Sequence, residues 1–228
     1  MSIKRSKRFK KLLEDIKEKK SKTIEEAITL VKKNCTTKFI ESIDISFKLN
    51  LKQKKDEATL RTNVNLPNGN GKKIKIAVLC EDNKVQEAKE AGAELFGSEK
   101  LVNDITSGKI NFNKLIATPG MMPKMGKLGK ILGPKGLMPN PKLGTVTNDI
   151  NKAVTDIKKG LVEIRNDKDG NLASTIGRKS FTSEKLLENY NHFIESVKKE
   201  KPDTIKGEFI KNTFITSTMG ISYKVGTK

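Results

Sequence analysis

The hydrophobic pattern of this chain changes style twice, and that restricts its fold more than any single motif. Ile43, Ile45, Phe47, Leu49 and Leu51 fall on one face of an alternating stretch, with Ser42, Asp44, Ser46, Lys48 and Asn50 on the other. A period of two marks a half-buried strand. A second strand is expected around residues 60–66, and the string PNGNG at 67–71 then breaks the chain. Short apolar runs follow at 74–80 (IKIAVLC) and 114–117 (KLIA). Between them lie a helical stretch over 82–91, stopped by Gly92, and another that Ser98 can cap. Strands alternating with helices imply a parallel, three-layer α/β unit. It runs to a helix over about 149–159, stopped by Gly160. The first style then returns: a strand at 161–165, a turn at 166–170 and a strand at 172–176. An amphipathic helix lies within 181–200, and a last strand at 209–216. Upstream, Thr23 and Glu26 form a capping box that opens a helix through about Lys33.

The simplest assembly pairs the first strands with the last. The expected fold class is α/β and α+β in two domains. Residues 1–67 plus 160–228 make a discontinuous α+β domain, into which 68–159 inserts as a Rossmann-like α/β domain. Pro67, Gly69, Gly71 and Gly160 mark the hinges.

The 228 residues carry 46 Lys and Arg against 27 Asp and Glu, a formal net charge of +19. Such an excess suggests nucleic acid or an anionic membrane. No apolar run approaches the roughly 18 residues a spanning helix needs. With two Tyr and no Trp, wholesale stacking of bases on aromatics is not expected. Cys35 and Cys80 have no metal-ligand spacing and make no disulfide framework, which fits a reducing compartment. One His in the chain argues against His-based metal or acid–base sites, so no metal and no cofactor is expected. The N-terminal stretch is Lys-rich and contains Glu14, Asp15 and Glu18. It reads as neither a secretory signal nor an Arg-rich, acid-poor transit peptide, but as a solvated basic helix that helps bind RNA.

Residues 116–146 (IATPGMMPKMGKLGKILGPKGLMPNPKLGTV) are rich in Gly and Pro. They carry Lys124, Lys127, Lys130, Lys135 and Lys142 and no acid. Read as a loop, the stretch presents charge to phosphates on a backbone that proline stiffens and glycine brings close. Packing with solvated lysines is the plainer reading. A nucleotide-hydrolysing loop fails, because five residues separate Gly120 from Gly126 and Leu128 follows Lys127. The dinucleotide fingerprint fails at Ile74. Gly126-Lys-Leu-Gly129 and Gly133-Pro-Lys-Gly136 match the GXXG clamp of KH modules. A KH-like single-strand binder therefore stands as an alternative, beside an RNA-metabolism enzyme using the α/β unit.

GPKGLMPNPKLGTVT, residues 133–147, closely resembles the signature of the large-subunit ribosomal L-one family, which builds the mobile lateral stalk. Lys38-Phe39-Ile-Glu41-Ser42 resembles that family's Lys-Phe pair with its following Glu, and Thr216-Ser-Thr218-Met219-Gly220 its Thr-Met-Gly end. The strings 66–72, 163–168 and 177–181 extend the likeness over nearly the whole chain. Thr62 stands where the family often has Gly, and Ile221 where it often has Pro. The resemblance implies the inserted-domain fold and no reaction. It implies Lys38, Phe39, Ser42, Thr218, Met219 and Gly220 as RNA-facing positions, with the five lysines as a secondary basic loop. Hydroxyls and backbone amides there suit riboses and phosphates. Gly220 is expected to leave room where two backbones meet. Phe39 and Met219 would shield those contacts from water, although apolar residues beside strands also serve as core. Implied partners are large-subunit ribosomal RNA, exit-site tRNA and the protein's own operon mRNA, which it can repress. The free protein is expected to be a cytoplasmic monomer that joins the ribosome and no membrane.

Overall fold

The computed structural model describes residues 6–14, 22–50, 60–202, 205 and 207–226. Its first elements are α1 (Lys7–Glu14), α2 (Ile24–Lys33), β1 (Ser42–Leu49), β2 (Arg61–Asn65) and β3 (Ile76–Leu79). Next come α3 (Val85–Glu90), β4 (Leu95–Gly97), α4 (Glu99–Thr106), β5 (Lys114–Ala117), α5 (Met122–Met125), α6 (Gly129–Leu132) and α7 (Ile150–Lys159). The last are β6 (Leu161–Arg165), β7 (Asn171–Arg178), α8 (Ser183–Lys199), β8 (Ile210–Ser217) and β9 (Tyr223–Val225). The fold is mixed α/β. Its contacts divide the chain into two units, Met1–Gly71 with Val162–Lys228, and Lys72–Leu161.

In the first unit β1 lies inside an antiparallel sheet of order β7-β1-β8-β9. The alternation of β1 does what period two requires. Ile43, Ile45, Phe47 and Leu49 are buried, while Ser42, Asp44, Ser46 and Lys48 stay half exposed. Leu51 lies outside the described residues. The buried face packs on α2 and α8, through Ala27, Ile28, Val31, Leu186, Phe193 and Val197. The rings of Phe47 and Phe193 stack with centroids 5.6 Å apart. Thr23 and Glu26 close both bonds of the capping box on α2. β2 and β6 form a separate two-stranded sheet. Fully buried Asn189 of α8 donates to the carbonyls of Gly69 (2.9 Å) and Ile176 (2.7 Å) and accepts from the Asn68 N–H (3.1 Å). Residues 68 and 69 are thereby fastened to this unit.

The second unit is a parallel sheet of order β4-β3-β5. Ala77, Leu79, Leu115 and Ala117 face Leu101, Ile105, Met125 and Leu132. Ile76, Val78, Cys80 and Ile116 face Ala88, Val154 and Ile157 on the other side. Both faces are dry, so the strands read as unbroken apolar runs rather than alternations. Gly160 ends α7 at φ 115°, a left-handed cap that favours glycine.

Two local expectations are corrected here. Ser98 does occupy the N-cap of α4, but at ψ −96° its hydroxyl turns away and donates to Asp82 Oδ1 (2.8 Å) instead of accepting from the helix. The stretch 119–132, read as a loop, is an almost continuous run of helical turns. Met121, Met125, Leu128 and Leu132, spaced four, three and four apart, form its buried stripe. Pro119 and Pro123 sit in first turns, where proline is tolerated. Gly126 and Gly129 are helical at φ −53° and −56°. The first GXXG string is therefore inside this run around buried Leu128. The second forms a turn with no helix directly after it. Neither is the exposed helix–turn–helix that a KH clamp requires.

Candidate nucleic-acid interface

β1 and β8 are neighbours, with Ile43 opposite Ser217. This register carries residues 38–42 and 218–220 to one place, although the chain separates them by most of its length. Past the strand ends the pairing continues. The Thr218 N–H donates to the Ser42 carbonyl (3.1 Å), and the Ser42 N–H donates to the Thr218 hydroxyl (3.0 Å). The Gly220 N–H returns to the Ser217 carbonyl (3.1 Å) and closes a turn that holds Met219 outward.

Lys38, Phe39 and Thr218 are exposed, and Ser42 and Gly220 half exposed. Phe39 is 51% exposed, Ile40 58% and Met219 50%. Among the described residues only one other large apolar side chain, Phe96, is so exposed. Three of the four thus gather on two short segments joined by hydrogen bonds. Isolated exposed apolar residues are ordinary, whereas a group on an ordered surface marks a partner site. The core reading of Phe39 and Met219 is overturned: Phe39 lies in a bend before β1 and Met219 in a turn after β8, both outside the sheet and about half exposed.

The arrangement centres on Glu41, which is fully buried. One carboxylate oxygen accepts from Ser217 Oγ (2.7 Å) and the Met219 N–H (3.1 Å). The other accepts from Thr37 Oγ1 (2.8 Å) and the Thr37 N–H (3.4 Å). Gly220 is explained differently from expected. A Cβ there would stand 2.3 Å from Ser217 Oγ, the hydroxyl committed to Glu41, rather than against a second backbone. Arg8 of α1 also reaches the site, donating to the Met219 carbonyl (2.8 Å) and to Thr36 Oγ1 (3.3 Å). Sequence reasoning missed Glu41, Thr37, Ser217, Ile40 and Arg8 as parts of this site. The signal for Glu41 was an acid immediately before a strand, followed by Ser42 and preceded four residues earlier by Thr37.

Burial pushes the Glu41 carboxyl upward, but its four hydrogen bonds outweigh that and hold it below its ordinary value of 4.5. Its folded pKa is depressed, so its ionised form stabilises the fold above the unfolded pKa. That contribution is lost as pH falls through the folded value. The melting-temperature gap between the wild type and Glu41→Gln should be widest near neutral pH and shrink below about pH 4.5. Calorimetry over a pH series checks this, and a gap independent of pH would contradict it.

The five lysines, Lys124, Lys127, Lys130, Lys135 and Lys142, lie on the other unit, and all are exposed. Lys124 pairs with Glu99 at 3.2 Å on the surface, a contact of little energetic weight. Among the described residues no group of His, Cys, Asp and Glu side chains could hold a metal ion, and no helix is long and apolar enough to cross a membrane.

Residues 31–221 match the model of the ribosomal protein L1p/L10e family. The chain is 59% identical over 221 residues to the large ribosomal subunit protein uL1 of Pelagibacter ubique, covering 96% of each. It is 46% identical to the uL1 of Mycoplasma capricolum, over 96% of this chain and 97% of that one. It is 44% identical to the uL1c of Phaeodactylum tricornutum over 96% of each.

Proposed function

The chain belongs to the ribosomal protein L1p/L10e family, and we propose that it works on the large ribosomal subunit through the surface made by residues 38–42 and 218–220. It is a ribosomal, RNA-binding protein of the cytoplasm and not an enzyme. The observation that carries the proposed site is the grouping of Phe39, Ile40 and Met219 in the open, on segments whose backbones are fixed to each other. Hydroxyls and amides at Ser42, Thr218 and Gly220 suit riboses and phosphates, and the apolar side chains cover those bonds once RNA is seated.

The finer role follows the family resemblance. The protein forms the mobile lateral stalk and helps release deacylated tRNA from the exit site. As a free monomer it represses its own operon mRNA by the same surface. The lysines of 124–142 form a second, less selective contact for tRNA or RNA backbone. The two units act as two domains, the second inserted in the first as a Rossmann-like layer structure. The chain bends between the two units at Pro67, Gly69, Gly71 and Gly160, a reading that the positive φ of all three glycines supports.

The test is the pair Thr218→Ala and Met219→Ala, titrated against the stalk RNA and a scrambled hairpin across a salt series. Each should lose about 1–3 kcal/mol of specific binding while melting close to the wild type. Discrimination by the wild type should improve with salt, since non-specific phosphate contacts weaken most steeply. Unchanged specific affinity in both variants would remove this surface from the RNA site.

A further inference from the structure

We infer that Glu41 is the positioning residue of this RNA-binding surface: its buried carboxylate locks two distant segments into the one arrangement that RNA meets. The inference rests on the proposed RNA site and assigns a cause to its shape.

The geometry is specific. Neither 38–40 nor 218–220 is held by a ladder of its own, because β1 begins at Ser42 and β8 ends at Ser217. Phe39 and Met219 each stand half exposed, so packing does not fix them. Beside the Ser42–Thr218 pairing, the Gly220 turn and the Arg8 bond to Met219, a set of donors converging on one side chain ties the backbones on both sides together. Thr37 gives two of these, from N–H and hydroxyl, on the side of Phe39. Ser217 and Met219 give the other two on the opposite side. The Thr37 hydroxyl also lies 3.2 Å from the Phe39 carbonyl. Glu41 is itself tied down, its carbonyl accepting from the Lys179 N–H (2.9 Å).

Only an ionised carboxylate suits this place. Each oxygen faces one backbone N–H, which can only donate, and one hydroxyl that donates here, and a carboxylate is acceptor-only with two equivalent oxygens. Glutamine keeps the shape but turns one oxygen into an NH2 that confronts a backbone N–H and forces the neighbouring hydroxyl to reverse its bond. Aspartate keeps the charge but is one methylene short and cannot reach both sides. The same logic explains Gly220, since a side chain there would displace the Ser217 hydroxyl from the carboxylate. The carboxylate touches no RNA. Burial hides its charge, which would otherwise repel phosphate.

The decisive comparison separates positioning from plain stability. Wild type, Glu41→Gln, Glu41→Asp and Phe193→Leu are titrated with the stalk RNA fragment and melted, and the Met219 amide and methyl are followed by NMR. Phe193 lies in the core of the same unit, away from the surface segments. Phe193→Leu should lower the melting temperature while leaving affinity and the Met219 signals unchanged. Both Glu41 variants should lose roughly tenfold or more in affinity, as loss of buried charged hydrogen bonds implies. Their Met219 signals should broaden or shift and exchange faster with solvent. Wild-type affinity and Met219 signals in Glu41→Gln would overturn the inference. So would an equal loss of affinity in Phe193→Leu at matched melting temperature. If Met219→Ala binds normally as well, the RNA site itself is misplaced; if Met219→Ala is weak while Glu41→Gln is normal, only the positioning role falls.

Discussion

A protein in which residues 72–161 are replaced by a short Gly-Ser linker binds the stalk RNA nearly as well as the whole chain, while the isolated 72–161 unit does not discriminate it from a scrambled hairpin. This is the expected result because Glu41, Ser42, Thr218 and Met219 all belong to the unit made by the two ends of the chain. Every hydrogen bond that shapes the surface is internal to that unit. For the isolated unit the drop should approach the gap between specific and non-specific nucleic-acid binding, on the order of a thousandfold. Its exposed lysines still attract RNA at low salt. The opposite outcome, with specificity travelling with 72–161, would make the lysine-bearing stretch the main site.

Phe193→Ala should cost about 3–5 kcal/mol of folding free energy, the range for emptying a buried aromatic position. The ring is fully buried, stacks on Phe47 of β1 and lies among Ile28, Val31, Leu186 and Val197. It joins α8 to β1, so the loss falls on the unit that holds the proposed RNA surface. Urea unfolding followed by circular dichroism would measure it. A change below about 1 kcal/mol would mean that the core collapses around the gap.

Much of the fold was legible because it rests on period alone. The alternation through Ile43, Ile45, Phe47 and Leu49 placed β1 and its buried face, and Thr23 with Glu26 placed the start of α2. The apolar run of β3 suggested a strand covered on both sides, which Ala88 and Leu101 now fill. Short edge elements were not legible. β4 and β9 have three residues each, too few for a pattern to repeat, and exist because a neighbour strand templates them. The 119–132 stretch misled for another reason. Its helical stripe of Met121, Met125, Leu128 and Leu132 was in plain view, but Gly and Pro at 119, 120, 123, 126 and 129 outweighed it. Burial against β5 and α4 overrides weak propensity.

At the proposed RNA surface, Lys38, Phe39, Ser42, Thr218, Met219 and Gly220 came from a family likeness and not from any periodic signal. What no pattern could supply was the convergence. Glu41 and Ser217 lie 176 positions apart, and only the register of β1 against β8 makes them partners. Arg8 was counted as one charge among many in a basic stretch. Its bond to the Met219 carbonyl depends on where α1 comes to rest.

The order of the sheet, β7-β1-β8-β9, also sets a schedule for the newborn chain. β1 leaves the ribosome early, yet one of its two neighbours, β8, follows only after residues 50–209 have been made. The parallel unit at 72–161 has all its strands in hand well before that and can fold while synthesis continues. The surface built on Glu41 has no such early form, because its partners Ser217 and Met219 follow it in the chain by 176 and 178 positions. A nascent chain that has not reached Ser217 therefore lacks the proposed RNA surface. That arrangement forms only once residues 217–220 have been made, and products truncated before them lack it.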